Sequence, residues 1–243
     1  MQDDSIPLAG RVVLVTGAGS GLGAALCTRL CAEQARVAAL DINESRVRGV
    51  AERLSGEGGD IQPYCADVGA VGDVRRVLDA VLERHGRLDA VVNCAAIDVT
   101  APIAEIDEDA WERVLRTNLT GPFVMSRQAC RSLRAGGHIV NVASTAARRA
   151  WPNASAYHAS KWGLMGLTQA LHAELRPVGI KVSAVIAGGM RTPFLLDRFP
   201  DIDVTTLQDP ARVARAICCV LTQPDDSVIP EIMVLPMKET SWP

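Results

Sequence analysis

The amino-acid sequence predicts a doubly wound α/β fold: a parallel sheet of about seven strands with helices on both faces, built as one domain over residues 1–243. Three observations predict it. Short β-branched runs alternate with segments of helical periodicity along the whole chain. The strand runs are almost continuously apolar, as strands covered on both faces are. A glycine cluster stands between the first strand and the first helix.

Each element has its own signal. Arg11–Thr16 is a β-branched run, and Gly21–Gln34 follows it with Leu22, Leu26 and Leu30 at helical spacing. Arg36–Asp41 reads as the second strand. Asn43 reads as the N-cap of a helix running to about Ser55. Gln62–Cys65 is the third strand, Val71–His85 a helix and Ala90–Asn93 the fourth strand. A long helical region extends from Asp107 to about Arg134, interrupted near Gly121-Pro122 because proline removes a helix hydrogen bond. His138–Val142 is the fifth strand, Ala156–Arg176 a long helix and Lys181–Ile186 the sixth strand. Asp209–Thr222 is the last helix, before an apolar strand around Ile229–Leu235. Thr192–Gln208 lacks clear periodicity and follows a strand end; it is a candidate substrate-covering loop or an irregular connection. No linker, repeat or low-complexity tract divides the chain.

Composition narrows the function classes. Hydrophobic residues at 48% and charged ones at 22% fit a globular core. A net charge of −3 argues against a nucleic-acid partner, which calls for a basic surface. Met1–Pro7 is short and acidic, without the pattern of a signal peptide. No run approaches the roughly 20 apolar residues that cross a bilayer, so a cytoplasmic protein without a membrane partner is expected. The seven cysteines form no Cys-x-x-Cys, and the four histidines lack ligand spacing; neither disulfides nor a metal are expected.

Thr16-Gly17-Ala18-Gly19-Ser20-Gly21-Leu22-Gly23 joins the first strand to the first helix. Glycines there admit positive φ and let backbone N–H groups approach a pyrophosphate, as in the Rossmann turn. Asp41 closes the second strand, eighteen positions after Gly23. That is near the ~20-residue offset at which a carboxylate grips ribose hydroxyls, and it repels a 2′-phosphate. NAD is therefore expected over NADP. Asp67 is placed to hydrogen-bond the adenine amino group or to cap the next helix.

Tyr157 and Lys161 are four residues apart on a predicted helix, so they share a face. An ammonium beside a phenol stabilises the phenolate and lowers its pKa, which makes a proton-transfer pair. Ser144 lies just beyond the fifth strand, thirteen residues before Tyr157. Its hydroxyl either holds a substrate oxygen beside the phenol or caps a turn.

With these motifs in order, the chain resembles the short-chain dehydrogenase/reductase family, in its branch of roughly 250 residues. The resemblance spans essentially the whole chain. It rests on Thr16–Gly23, Asp67-Val68, Asn93-Cys94-Ala95-Ala96, Asn118, Ser144 and Tyr157-His158-Ala159-Ser160-Lys161. It implies an NAD(P)-dependent dehydrogenase or reductase with Asn118, Ser144, Tyr157 and Lys161 as the catalytic set. Tyr157 would exchange the proton, Lys161 would bind the nicotinamide ribose, Ser144 would orient the substrate oxygen, and Asn118 would hold a water linking Lys161 to solvent. The implied cofactor residues are Gly17, Ser20, Gly21, Leu22, Gly23, Asp41, Asp67, Val68, Asn93, Ala95, Tyr157, Lys161 and Thr192, the last at the carboxamide. A homodimer or homotetramer is expected by the same analogy.

The chain departs from the family pattern at three places. Asn93-Cys94-Ala95-Ala96 replaces Asn-Asn-Ala-Gly, Ala187-Gly188 replaces Pro-Gly, and Ile232–Pro243 replaces an Asp-Gly-Gly ending. His158 points about 100° away from Tyr157 on a helix and is not expected in catalysis. Arg148 and Arg149 would meet an anionic substrate or, more simply, solvent; Trp151 and Met190 are pocket walls or packing residues. The leading expectation is hydride transfer between NAD(H) and a secondary alcohol/ketone pair. Its rivals are a reductase of carrier-bound 3-oxoacyl groups, a dinucleotide-binding regulator without turnover, and a sugar-nucleotide epimerase. Asp41 speaks against the first and the intact Ser/Tyr/Lys/Asn set against the second. The 57 residues after Ile186 leave little room for the third.

Overall fold

A computed structural model describes residues 5–238. Met1–Asp4 of the acidic N-terminal segment and positions 239–243 of the divergent C-terminal stretch lie outside the described residues. The strands are β1 (Val12–Thr16), β2 (Arg36–Asp41), β3 (Asp60–Cys65), β4 (Ala90–Asn93), β5 (His138–Ser144), β6 (Lys181–Ala187) and β7 (Glu231–Val234). All pair in parallel, in the order β3-β2-β1-β4-β5-β6-β7. This is the doubly wound Rossmann-type sheet that the alternating pattern predicts. Chain order reverses between β1 and β4, where a crevice opens at the carboxyl ends of the strands. Pro63 is accommodated because β3 is an edge strand.

The helices are α1 (Gly21–Ala32), α2 (Glu44–Gly56), α3 (Val71–His85), α4 (Glu108–Leu115), α5 (Gly121–Ala129), α6 (Ser155–Leu175), α7 (Pro193–Leu196) and α8 (Pro210–Leu221). Side-chain alternation in β1 shows how two cores arise from one strand. Val13 and Val15 pack with Leu26 and Leu30 of α1 and Ile217 of α8. Val12 and Leu14 face the other way, onto Val77 of α3 and Met125 of α5. Asn43 caps α2 as predicted, accepting from the Arg46 N–H at 3.0 Å.

The region predicted as one helix broken at Gly121-Pro122 is built differently. α4 ends at Leu115, a π-helical turn spans Arg116–Thr120, and Pro122 sits in the first turn of α5. A proline in a helix's first turn costs little, so the chain absorbs its missing donor by widening the turn before it. α5 stops at Ala129, short of Arg134. β5 runs two residues further than predicted, making Ser144 the last residue of the strand, in register with Ala187.

Candidate active site

A cleft of about 1190 Å³ opens along the carboxyl ends of β1, β2, β4, β5 and β6. Its first half is the glycine turn. Gly17 has φ +68°, and a Cβ there would stand 2.9 Å from the Ala95 backbone; at Gly23 it would stand 2.1 Å from the Gly17 carbonyl oxygen. Only glycine permits this approach. Ser20, the N-cap of α1, makes no side-chain cap, so the opening N–H groups of a 12-residue helix remain for an anion at the cleft. The Thr16 hydroxyl accepts from the Cys94 and Ala95 N–H groups, both at 3.0 Å, and locks β4 to the turn.

Asp41 has a double structural task. Its Oδ2 accepts from the Gly19 N–H and its Oδ1 from the Asn43 N–H, each at 2.9 Å. Asp41 lines the cleft, and a carboxylate has acceptor capacity beyond those two bonds. Asp67 lies two residues past the end of β3. It does not cap α3: its Oδ1 accepts from Gly69 N–H at 2.8 Å, and Oδ2 stands 3.5 Å from Arg116. With Ser20–Gly23, Val68 and Ala95, these groups line a space that fits a dinucleotide: donors at the helix start, a carboxylate at the end of β2, bulk excluded at the glycines.

The second half holds Tyr157 and Lys161, one turn apart on α6, both buried. Ser144 lies close enough for its hydroxyl to act on the Tyr157 phenol, and its Oγ accepts from the Ala146 N–H at 3.2 Å. Ser144 therefore caps the turn after β5, and it also lines the cleft. Lys161 Nζ donates to the Val142 carbonyl at 2.8 Å and stands 5.7 Å from the Tyr157 ring centroid. Burial pushes the Tyr157 phenol up to about 12, against the pull of Ser144. Burial also brings the Lys161 ammonium down to about 8. The raised phenol pKa is opposite to the lowered one expected from the Tyr–Lys spacing, because desolvation dominates and Lys161 donates to a carbonyl.

Asn118 sits in the π-helical turn, fully buried. Its Oδ1 accepts from the Ile97 N–H and its Nδ2 donates to the Ile97 carbonyl, both at 2.8 Å, and to Ser160 Oγ at 3.0 Å. These bonds pin the loop after β4 to α6. Thr192 is buried against Gly21, where an added Cβ would stand 3.2 Å from its own.

The side chain of Asn93, a residue expected at the cofactor, turns away from the cleft. Its Nδ2 donates to Asn141 Oδ1 at 2.8 Å, and Asn141 donates to Thr168 Oγ1 at 2.9 Å. The β4 pleat turns Asn93 into a buried polar chain between sheet and α6, off the cleft lining. His158 is likewise structural: Nδ1 meets the Ala146 carbonyl at 2.8 Å, and Nε2 accepts from the Trp151 N–H at 3.1 Å. Arg148 ion-pairs with Glu231, whereas Arg149 lines the cleft with Trp151 and Met190.

Sequence reading missed a roof over the site. Arg198 ion-pairs with Asp98, lies 4.0 Å above the Phe194 ring, and Phe194 stands 5.8 Å from the Tyr157 ring. Asp98 and Arg198 are 100 residues apart, and no local pattern joins them. The only signal was the aperiodic stretch Thr192–Gln208, which contains α7 and Arg198. Among the described residues, no helix is long and apolar enough to cross a membrane, and no cluster of three His, Cys, Asp or Glu could hold a metal.

Comparison with known proteins places this geometry among relatives. The family model described as short chain dehydrogenase matches residues 11–203. A short chain dehydrogenase/reductase from Colletotrichum higginsianum is 37% identical over 205 residues, covering 82% of this chain and 76% of the relative. A D-threitol dehydrogenase from Mycolicibacterium smegmatis is 37% identical over 185 residues, 75% of this chain and 71% of that one. A solved structure of an actinorhodin polyketide ketoreductase variant with NADPH superposes with a TM-score of 0.86 at 29% identity, covering 95% of this chain and 98% of that one.

Proposed function

We propose, from the premise that this chain belongs to the short chain dehydrogenase family, that it moves a hydride between NAD(H) and a secondary alcohol/ketone pair, with Tyr157 as general acid/base. The chain is an oxidoreductase of that family, a family that binds a nicotinamide dinucleotide and acts on small molecules. The observation that carries the finer reading is that Tyr157 lines the same cleft as the glycine turn, together with Ser144 and with Lys161 Nζ 5.7 Å from its ring.

The bound nicotinamide would supply or accept the hydride. Tyr157 would pass a proton to the carbonyl oxygen during reduction and take it from the alcohol during oxidation. Ser144 would hold that oxygen against the phenol. Lys161 would turn from the Val142 carbonyl to the ribose and raise the acidity of Tyr157, with Asn118 holding the relay water. Gly17, Ser20–Gly23 and Ala95 would take the pyrophosphate half, Asp67 and Val68 the adenine, and Thr192 the carboxamide. Asp41 supports NAD, since its charge opposes a 2′-phosphate; Arg46, which also lines the cleft, is a cation that would favour NADP. Residues 192–208 would cover the substrate.

Exposed Phe123 on α5 and Trp162 on α6 support a homodimer or homotetramer, and seven free thiols support a reducing, cytoplasmic setting. The test is NAD(P)H absorbance across a panel of alcohols, ketones and 3-oxoacyl thioesters with both cofactors. NAD-linked turnover of an alcohol or ketone is expected. Efficient NADPH-linked turnover of the thioesters alone would replace this reading with the ketoacyl reductase one, and cofactor binding without turnover would overturn it.

A further inference from the structure

Asp98 stands on the substrate side of the cleft, beside Ile97 and the roof residues Phe194 and Arg198. Its side chain is 7% exposed. Oδ2 ion-pairs with Arg198, while Oδ1 is buried with no hydrogen-bond partner. The carboxylate is close enough to Tyr157 for its charge to act on the phenol. Burial raises the pKa of Asp98 itself, while Arg198 and the Val99 N–H oppose the rise. A carboxylate oxygen held out of water without a donor is unfavourable, so an acceptor in this position has a use when a ligand brings the donor.

The chemistry of that donor follows from its neighbours. An ammonium would suit Asp98 alone, but Arg198 already meets the carboxylate, and Arg149 adds a second cation without an ion-pair partner among the described residues. Arg149 Nε is also buried without a hydrogen-bond partner. An unmet acceptor and an unmet donor in one cleft call for a group that both donates and accepts. A neutral hydroxyl does so. A plain hydrocarbon tail would leave both groups unpaired beside Trp151, Met190 and Phe194.

We propose that the substrate is a diol or polyol, or its hydroxyketone, in which a second hydroxyl near the reacting carbon donates to Asp98 Oδ1. Asp98 is then the residue that selects for that hydroxyl. This rests on the alcohol dehydrogenase reading of the same site, and the experiment separates the two.

Oxidation by NAD⁺ is measured for vicinal and one-carbon-spaced cyclohexanediols against cyclohexanol, and for a vicinal butanediol against the secondary butanol. The wild-type protein is expected to favour a diol by about 100-fold in kcat/KM. Asp98→Asn and Asp98→Leu are expected to bring the ratio towards one, with NADH binding reporting that each variant is folded. Equal use of diols and simple alcohols overturns the inference while leaving the hydride-transfer reading intact. So does a diol preference that survives in both variants, or a stronger preference for a hydroxycarboxylate that disappears in Arg149→Leu. Binding of NADH with no turnover of any alcohol or ketone overturns the underlying reading, and this one with it.

Discussion

The Lys161 ammonium lies 5.7 Å from the centre of the Tyr157 ring, yet its hydrogen bond goes to the Val142 carbonyl at 2.8 Å. Burial works against the charged form of each: it pushes the phenol up to about 12 and brings the ammonium down to about 8. A phenolate therefore needs added positive charge, either from Lys161 turned towards it or from an oxidised nicotinamide. The chain has two tyrosines, so phenolate absorbance can be assigned. In a pH jump read before unfolding, the component missing from Tyr157→Phe is expected near pH 12 without cofactor. Saturating NAD⁺ is expected to move it down by about one unit or more. An unmoved component would mean that the cofactor complex does not charge the phenol.

Tyr157→Phe keeps the ring against Phe194 and removes the hydroxyl. Turnover should fall by roughly 10²–10⁴ while NADH binding changes little, because general acid/base catalysis contributes on that scale. Single-turnover rates and an NADH titration check the two halves. Rates within a few-fold of wild type would remove the phenol from the chemistry.

Asp41 is bound to the Gly19 and Asn43 N–H groups, so it acts on both cofactor choice and turn geometry. Asp41→Ala should lower the NAD/NADP ratio of kcat/KM by about tenfold or more and cost about 1 kcal/mol of stability from the lost bonds. Asp41→Asn, which retains an acceptor, should show the cofactor effect with less loss of stability. Steady-state kinetics and urea unfolding separate the terms. An unchanged cofactor ratio in both variants would refute the ribose assignment.

The fold and the Ser144, Tyr157 and Lys161 cluster were legible because their signals are local: alternation, a glycine turn, one helical turn between two side chains. What lay outside the sequence pattern depended on where a pleat faces or on chains meeting across the cleft. Asn93 carries the family motif, yet its side chain turns into the protein towards Asn141. The Asp98–Arg198 pair forms only when the stretch after β6 folds back over the loop after β4. The π-helical turn before Pro122 stands where a simple break was expected, and it carries the Asn118 that meets Ile97 across the chain.

If Asn93 serves packing rather than the cofactor, Asn93→Ala should leave Asn141 Oδ1 buried and unpaired. A loss of about 1–3 kcal/mol follows from that, with the NADH dissociation constant nearly unchanged in protein that remains folded. Urea unfolding and NADH titration are read on the same sample. A tenfold weaker NADH affinity with normal stability would return Asn93 to the cofactor site.

His138 offers a pH test away from the chemistry. It is fully buried, and burial first, then the nearby charges of Lys181 and Arg11, bring its pKa down from 6.5 to about 3. Its Nε2 meets Ser183 Oγ at 2.8 Å and its Nδ1 has no hydrogen-bond partner. The unfolded chain binds a proton here below about 6.5 while the folded chain stays neutral, so stability is fully present above that pH and is lost as pH falls towards 3. The slope from this residue is at most about 1.4 kcal/mol per pH unit. His138→Gln keeps a polar group near Ser183 and cannot titrate. It should be less stable at pH 7.5 and lose less than wild type between pH 7.5 and pH 4.5, when both are unfolded in urea. Carboxylates titrate in both proteins and cancel in that difference, so parallel curves would show that His138 is protonated in the folded state or reaches water there.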